Sequence, residues 1–189
     1  MNPTRRTLLA WPVCLLVPAG HLAASTSGTM PPWPEMAGVL PSPVWAGAAR
    51  LRVWGFEVYD AQLWVTAGFE AQRYAQYPLG LSLTYLRTLR GKAIAERSIA
   101  EMLRQGPIDA ALQATWLARM QQLFPDVVEG DRLTGVHQPG RGARFWLNGR
   151  TLGLIDDAVF SALFFGIWLH TATSEPAMRR DLLAALGGP

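Results

Sequence analysis

The chain has 189 residues, half of them apolar, with eight tryptophans and 16% charged residues. That is enough for one domain with a real core and too apolar for disorder. A formal charge of +3 from scattered arginines argues against nucleic acid as a partner, because that would want a dense basic face. The single cysteine excludes a disulfide framework within the chain.

Arg5 and Arg6 precede an apolar stretch through Val17, which ends in the small-residue run Ala19-Gly20-His21-Leu22-Ala23-Ala24. This order is that of a secretory signal, with cleavage expected near Ala24. Pro12, Pro18, Gly20 and His21 interrupt the run, so an uncleaved anchor of about 20 apolar residues is the weaker reading. Thr4-Arg5-Arg6-Thr7-Leu8-Leu9 also fits a twin-arginine export signal. Trp11-Pro12-Val13 are not the small residues of a lipoprotein signal, so no lipid is expected on Cys14. Cleavage removes that cysteine, and with it thiol chemistry. It also takes Arg5 and Arg6 with no carboxylate, so the formal charge falls from +3 to +1. The expected address is periplasmic or extracellular, with the membrane met only in transit during export.

Residues 25–46 form a proline-rich N-terminal segment, expected to be extended, with an edge strand near Val39. Trp33 and Trp45 within it predict that it lies on the domain, which spans residues 47–187. Leu51 and Val53 alternate with Arg50 and Arg52, a strand period, and Gly55 marks a bulge or bend. A strand over 56–65 follows, with Tyr59, Ala61, Leu63 and Val65 on one face, and Leu81, Leu83 and Tyr85 repeat the pattern. A helix over 92–105 precedes a second one capped by Asp109, in which Leu112, Trp116 and Met120 form a stripe. Strands over 133–137 and 143–147 come next. Asn148-Gly149 turns the chain into a strand over 150–155, because a type I′ hairpin needs two positive φ values. Asp156-Asp157 caps a core helix over 158–169, and a last helix begins at Glu175-Pro176 and runs to Leu186. Strands, helices, strands, helices in that order predict an α+β fold, an antiparallel sheet with helices on one face.

Catalytic signals are sparse. No G-x-S-x-G surrounds a serine, and Ser161 reads as a core hydroxyl bonded to its own helix. His137 and His170 lack carboxylates at ligand spacing, so no metal is expected. Nor does a glycine-rich loop join a strand to a helix, so no nucleotide or other cofactor is expected. A cleft between sheet and helices remains. Arg50, Arg52 and Arg87 lie on strands beside Trp54, Tyr59 and Tyr85, and an arginine next to a tyrosine at an apolar cavity can hold a carboxylate or phenolate. The competing reading makes these arginines solvated strand positions and the tyrosines core residues with wetted tips.

Several segments keep a recognisable order: Phe56-x-Val58-Tyr59-Asp60-Ala61-x-Leu63-Trp64, Phe124-Pro125-x-Val127-x-x-Gly130-Asp131, Phe145-Trp146-Leu147-Asn148-Gly149, Gly153-Leu154-Ile155-Asp156-Asp157, Phe165-Gly166-Ile167-Trp168-Leu169 and Glu175-Pro176. Together they resemble the bacterial chalcone isomerase-like family of exported proteins. The resemblance implies an open-faced β-sandwich, a large antiparallel sheet backed by a layer of helices. In the plant isomerases of this superfamily an arginine, a threonine and a tyrosine aid ring closure. By resemblance Tyr59 takes the threonine's place, the arginine is Arg50 or Arg52, and the tyrosine has no match after Leu86. Non-catalytic members of the superfamily hold a fatty acid through an arginine and a tyrosine. The resemblance therefore implies an exported, non-catalytic binder of an amphipathic acid, with Arg50, Arg52, Tyr59, Tyr85 and Arg87 as candidate contacts. The alternatives are an intramolecular lyase of chalcone isomerase type and an interaction module with a vestigial pocket.

Overall fold

The computed structural model describes residues 30–187. The expected signal over residues 1–24 lies outside them. Six strands, β1 (Val44–Val53), β2 (Phe56–Val65), β3 (Leu79–Tyr85), β4 (Arg132–Gln138), β5 (Gly142–Leu147) and β6 (Arg150–Ile155), form one antiparallel sheet in sequence order. Helices α1 (Gly91–Met102) and α2 (Ala110–Leu123) join β3 to β4, and α3 (Ala158–Leu169) and α4 (Pro176–Leu182) follow β6. This is the expected α+β sandwich. Sequential antiparallel neighbours need only short turns, and the longest connection carries the first helix pair.

Local chemistry sets the helix starts. Asp109 accepts from the amides of Ala111 and Leu112, and Asp157 from those of Val159 and Phe160. Asp157 also accepts from Trp116 Nε1 at 2.8 Å, which ties the start of α3 to the buried face of α2. Asp157→Ala would lose the cap and strand the indole N–H, costing about 2 kcal/mol. A urea titration checks this, with Asp157→Asn expected to recover part of the loss.

The helical side of the sheet holds the main core. Ala61, Leu63, Leu81, Leu133 and Phe145 meet Ile99, Met102, Trp116, Phe160 and Phe165 there. α3 is apolar around most of its circumference, because it packs on β4 and β5 below and against α1 and α4 at its sides. The last α-helix ends at Leu182, short of Leu186, and a 3-10 turn over Ala184–Leu186 continues the chain.

The N-terminal segment covers the opposite face. The expected strand near Val39 is absent; Pro34–Met36 forms a 3-10 turn that drops Met36 and Leu40 onto Trp64, Val136 and Trp146. Gly80 makes this possible, since a Cβ there would stand 2.8 Å from Met36 Sδ. Glu35 is anchored by Arg132 at 3.0 Å and by the Thr134 hydroxyl at 2.7 Å, while the Arg132 guanidinium lies 3.6 Å from the Trp33 ring. Half-buried Trp33 and Trp45 join this second cluster, so the segment packs on the sheet.

Ser161 bonds differently from expectation. Its hydroxyl faces the sheet, 2.9 Å from the Gly142 carbonyl and 2.5 Å from His137 Nδ1. The opposite ring nitrogen of His137 meets the Ala75 carbonyl at 3.0 Å, and burial pushes the imidazole pKa down. Both residues are fully enclosed, which suits a core hydrogen-bond network and gives a substrate no route to the serine.

A candidate binding cavity between sheet and helices

Between β1–β3 and helices α1, α3 and α4 lies a cavity of about 620 Å³. Small-molecule sites usually fall between about 300 and 1,000 Å³. Leu51, Leu83, Leu133, Phe164, Ile167 and Met178 supply apolar wall.

A β-bulge sets which β2 side chains reach it. The register runs Leu51 opposite Tyr59, then Arg52 opposite Glu57, so Val58 is the extra residue. Phe56, Val58 and Tyr59 therefore all line the cavity, although strict alternation would send Tyr59 to the face opposite Phe56. Tyr85 sits directly across the β2–β3 ladder from Tyr59, with the two rings edge to face at 6.0 Å.

These tyrosines are the principal polar groups of the floor. Trp168 Nε1 donates to Tyr59 Oη at 3.0 Å, leaving the Tyr59 hydroxyl proton available to a ligand. Burial raises the pKa of both phenols well above the ordinary tyrosine value, and the Tyr59 charge adds to the effect on Tyr85. Both are neutral hydrogen-bond donors at any physiological pH. The Ser98 and Thr173 hydroxyls already donate to the carbonyls of Ile94 and Ile167, at 2.8 and 2.7 Å.

Of the five residues singled out from sequence, three are brought together here: Tyr59, Tyr85 and Arg87. Arg87 lies two residues beyond Tyr85 on the same side of the chain, with its guanidinium 5.4 Å from the centre of the Phe56 ring. Arg50 and Arg52 are placed elsewhere. They alternate with Leu51 and Val53, so when those face the cavity the arginines face outward. Arg50 forms a two-pronged pair with Asp60 at 2.6 and 2.7 Å and meets Glu57 at 2.9 Å. Arg52 meets Glu57 at 2.7 Å. Both are exposed and committed to carboxylates of the neighbouring strand.

Other cavity groups escaped the sequence reading. Arg97 and Glu101, charged positions of α1 that sequence pattern alone sends to solvent, line the cavity with Ile94 and Ser98, one helical turn apart. Their ion pair is 2.5 Å long, and Glu101 is almost fully enclosed, with Oε2 accepting no hydrogen bond among the described residues. The spacing 94, 97/98, 101 was the available signal, masked by its mixture of polar and apolar side chains. Trp168, which orients Tyr59, stands in an apolar run whose pattern marks it as core and not as a partner for a phenol.

A family model described as chalcone isomerase-like matches residues 45–184. An uncharacterized protein of Haemophilus influenzae is 37% identical over 131 residues, covering 69% of this chain and 63% of that one. The chain thus spans less than two thirds of that relative's length. The fold is similar to the crystal structure of a fatty-acid binding protein of Arabidopsis thaliana, with a TM-score of 0.59 and 12% sequence identity. That match covers 77% of this chain and 88% of the plant one.

Proposed function

The chain belongs to the chalcone isomerase-like family, and from that premise we propose that it is an exported, non-catalytic binder of an amphipathic acid such as a fatty acid. One observation carries the reading: an apolar cavity of about 620 Å³ whose floor offers two neutral phenols and whose rim carries an arginine. A carboxylate on that floor accepts hydrogen bonds from the Tyr59 and Tyr85 hydroxyls and is attracted by Arg87, while its tail lies along Leu83, Leu133, Phe164 and Ile167. The fatty-acid binding protein of like fold supports a lipid ligand. Export rests on the signal features of residues 1–24.

Native mass spectrometry of protein purified from its own host tests this. An acidic lipid should co-purify. Tyr59→Phe removes the hydroxyl donor and the acceptor of Trp168, and should weaken retention about fivefold. Arg87→Gln, which loses a charge-assisted contact, should weaken it by tenfold or more. An empty protein that closes chalcone to flavanone would replace this reading with the isomerase.

A further inference from the structure

The β1–β2 hairpin turns on Trp54 and Gly55, whose φ values of +50° and +83° define a type I′ turn. The β5–β6 hairpin turns on Asn148 and Gly149 at +50° and +81°. Asparagine is a preferred residue for the first position of such a turn, and a bulky side chain with positive φ is an outlier there. Two turns of one geometry in one molecule thus carry the favoured residue once and a disfavoured one once. No packing compensates, because Trp54 is 95% exposed. Phe56 is 63% exposed beside it and Val53 38%. All three also line the cavity, so this aromatic tip stands at its mouth.

The neighbouring loop supplies charge. Residues 86–90 hold Arg87 and Arg90 and no acid, and both arginines are exposed. Neither enters an ion pair among the described residues. The Leu86 amide donates to the Val58 carbonyl at 2.9 Å, which fixes this loop against the hairpin. Tryptophan and arginine together suit the interface of a bilayer, where an indole lies at headgroup depth and cations meet anionic lipid. No helix among the described residues is long and apolar enough to cross a membrane, so the contact is peripheral.

We propose that the Trp54–Phe56 tip and the arginines of the adjoining loop dock the protein on an anionic lipid bilayer, so that the cavity mouth opens onto the lipid from which it loads. This deepens the binder reading and adds a working membrane contact to the transit expected during export.

Flotation with vesicles tests it, using the chain as its host processes it and variants made in the same way, so that residues 1–29 contribute equally. The vesicles are phosphatidylcholine, with or without one third phosphatidylglycerol. Wild type should co-float with the anionic vesicles. Trp54→Asn converts the turn to the favoured Asn-Gly and should leave thermal stability unchanged or raised, yet weaken co-flotation by about tenfold or more. Arg87→Gln and Arg90→Gln should each weaken it about fivefold, and only on anionic vesicles. Tyr59→Phe should retain about fivefold less ligand and co-float normally. A stably folded Trp54→Asn that co-floats like wild type overturns the proposal. So does a wild type that ignores vesicles but self-associates through Trp54 in analytical ultracentrifugation, which would assign the tip to a second copy. Vesicle binding without a co-purified acid would uphold the docking surface and count against the binder reading alone.

Discussion

Replacing Phe164 with alanine is expected to destabilise the protein by about 4 kcal/mol, toward the upper end for a large-to-small core change. Phe164 is the hub of the aromatic core. Its ring centre lies 5.3 Å from that of Phe145, 5.4 Å from those of Phe160 and Phe165, 5.6 Å from Trp168 and 6.1 Å from Phe124. Edge-on and stacked neighbours cannot all follow a shrinking side chain, so the site collapses poorly and a void persists. That void would join the binding cavity, because Phe164 lines its wall and also a small gap of about 10 Å³ toward Gly135 and Phe145. Two measurements check this. Urea denaturation reads the loss, with Phe164→Leu expected near 1 kcal/mol because volume is nearly kept. Native mass spectrometry reads the cavity: Phe164→Ala should retain a longer or bulkier acid than wild type, and an unchanged ligand spectrum would mean that the wall does not set the length limit.

The same helix shows how much of the molecule is legible in sequence. Its boundaries, its cap at Asp157 and its apolar character follow from local pattern, as do the Asn148-Gly149 hairpin and the Asp109 cap. Such signals lie within a few residues of the structure they specify. What a side chain meets across the fold is a different matter. Ser161 reads as bonded to its own helix, yet its partners are His137 and Gly142, which the sequence places 24 and 19 residues away. The site divides along the same line. Tyr59 and Tyr85 stand out as strand aromatics, but only the ladder shows them opposite each other. The bulge at Val58 lies inside a strand with no glycine or proline to mark it, although it puts Phe56 and Tyr59 on one face. Arg50 and Arg52 were readable. Their alternation with Leu51 and Val53 already separates them from whatever those residues face, and the carboxylates at Glu57 and Asp60 are on hand to occupy them.

The cavity floor gives the second large effect, in alkali. Tyr85 is buried and Tyr59 half-buried at the cavity floor, and burial raises the pKa of both phenols, so the folded state holds their protons after the unfolded chain has begun to release its own near pH 10. The unfolded state then binds fewer protons than the native one, and stability falls as pH rises. The contribution is fully present below about pH 10 and is lost as pH climbs toward the folded values. With both phenols protonated in the fold, each group costs about 2 kcal/mol between pH 10 and pH 12, or about 4 kcal/mol together. Against a total stability of about 5–15 kcal/mol, that brings many proteins of this size close to unfolding. Urea midpoints measured across this range should drop steeply for wild type and much less for Tyr59→Phe with Tyr85→Phe. Absorbance at 295 nm supplies the independent readout. In the native protein both phenols should remain un-ionised at pH 11 and then titrate abruptly as the chain unfolds. Gradual ionisation of the folded protein near pH 10 would mean that the floor is wet. A wet floor would pair its hydroxyls with water, removing the preorganised neutral donors on which recognition of a carboxylate depends.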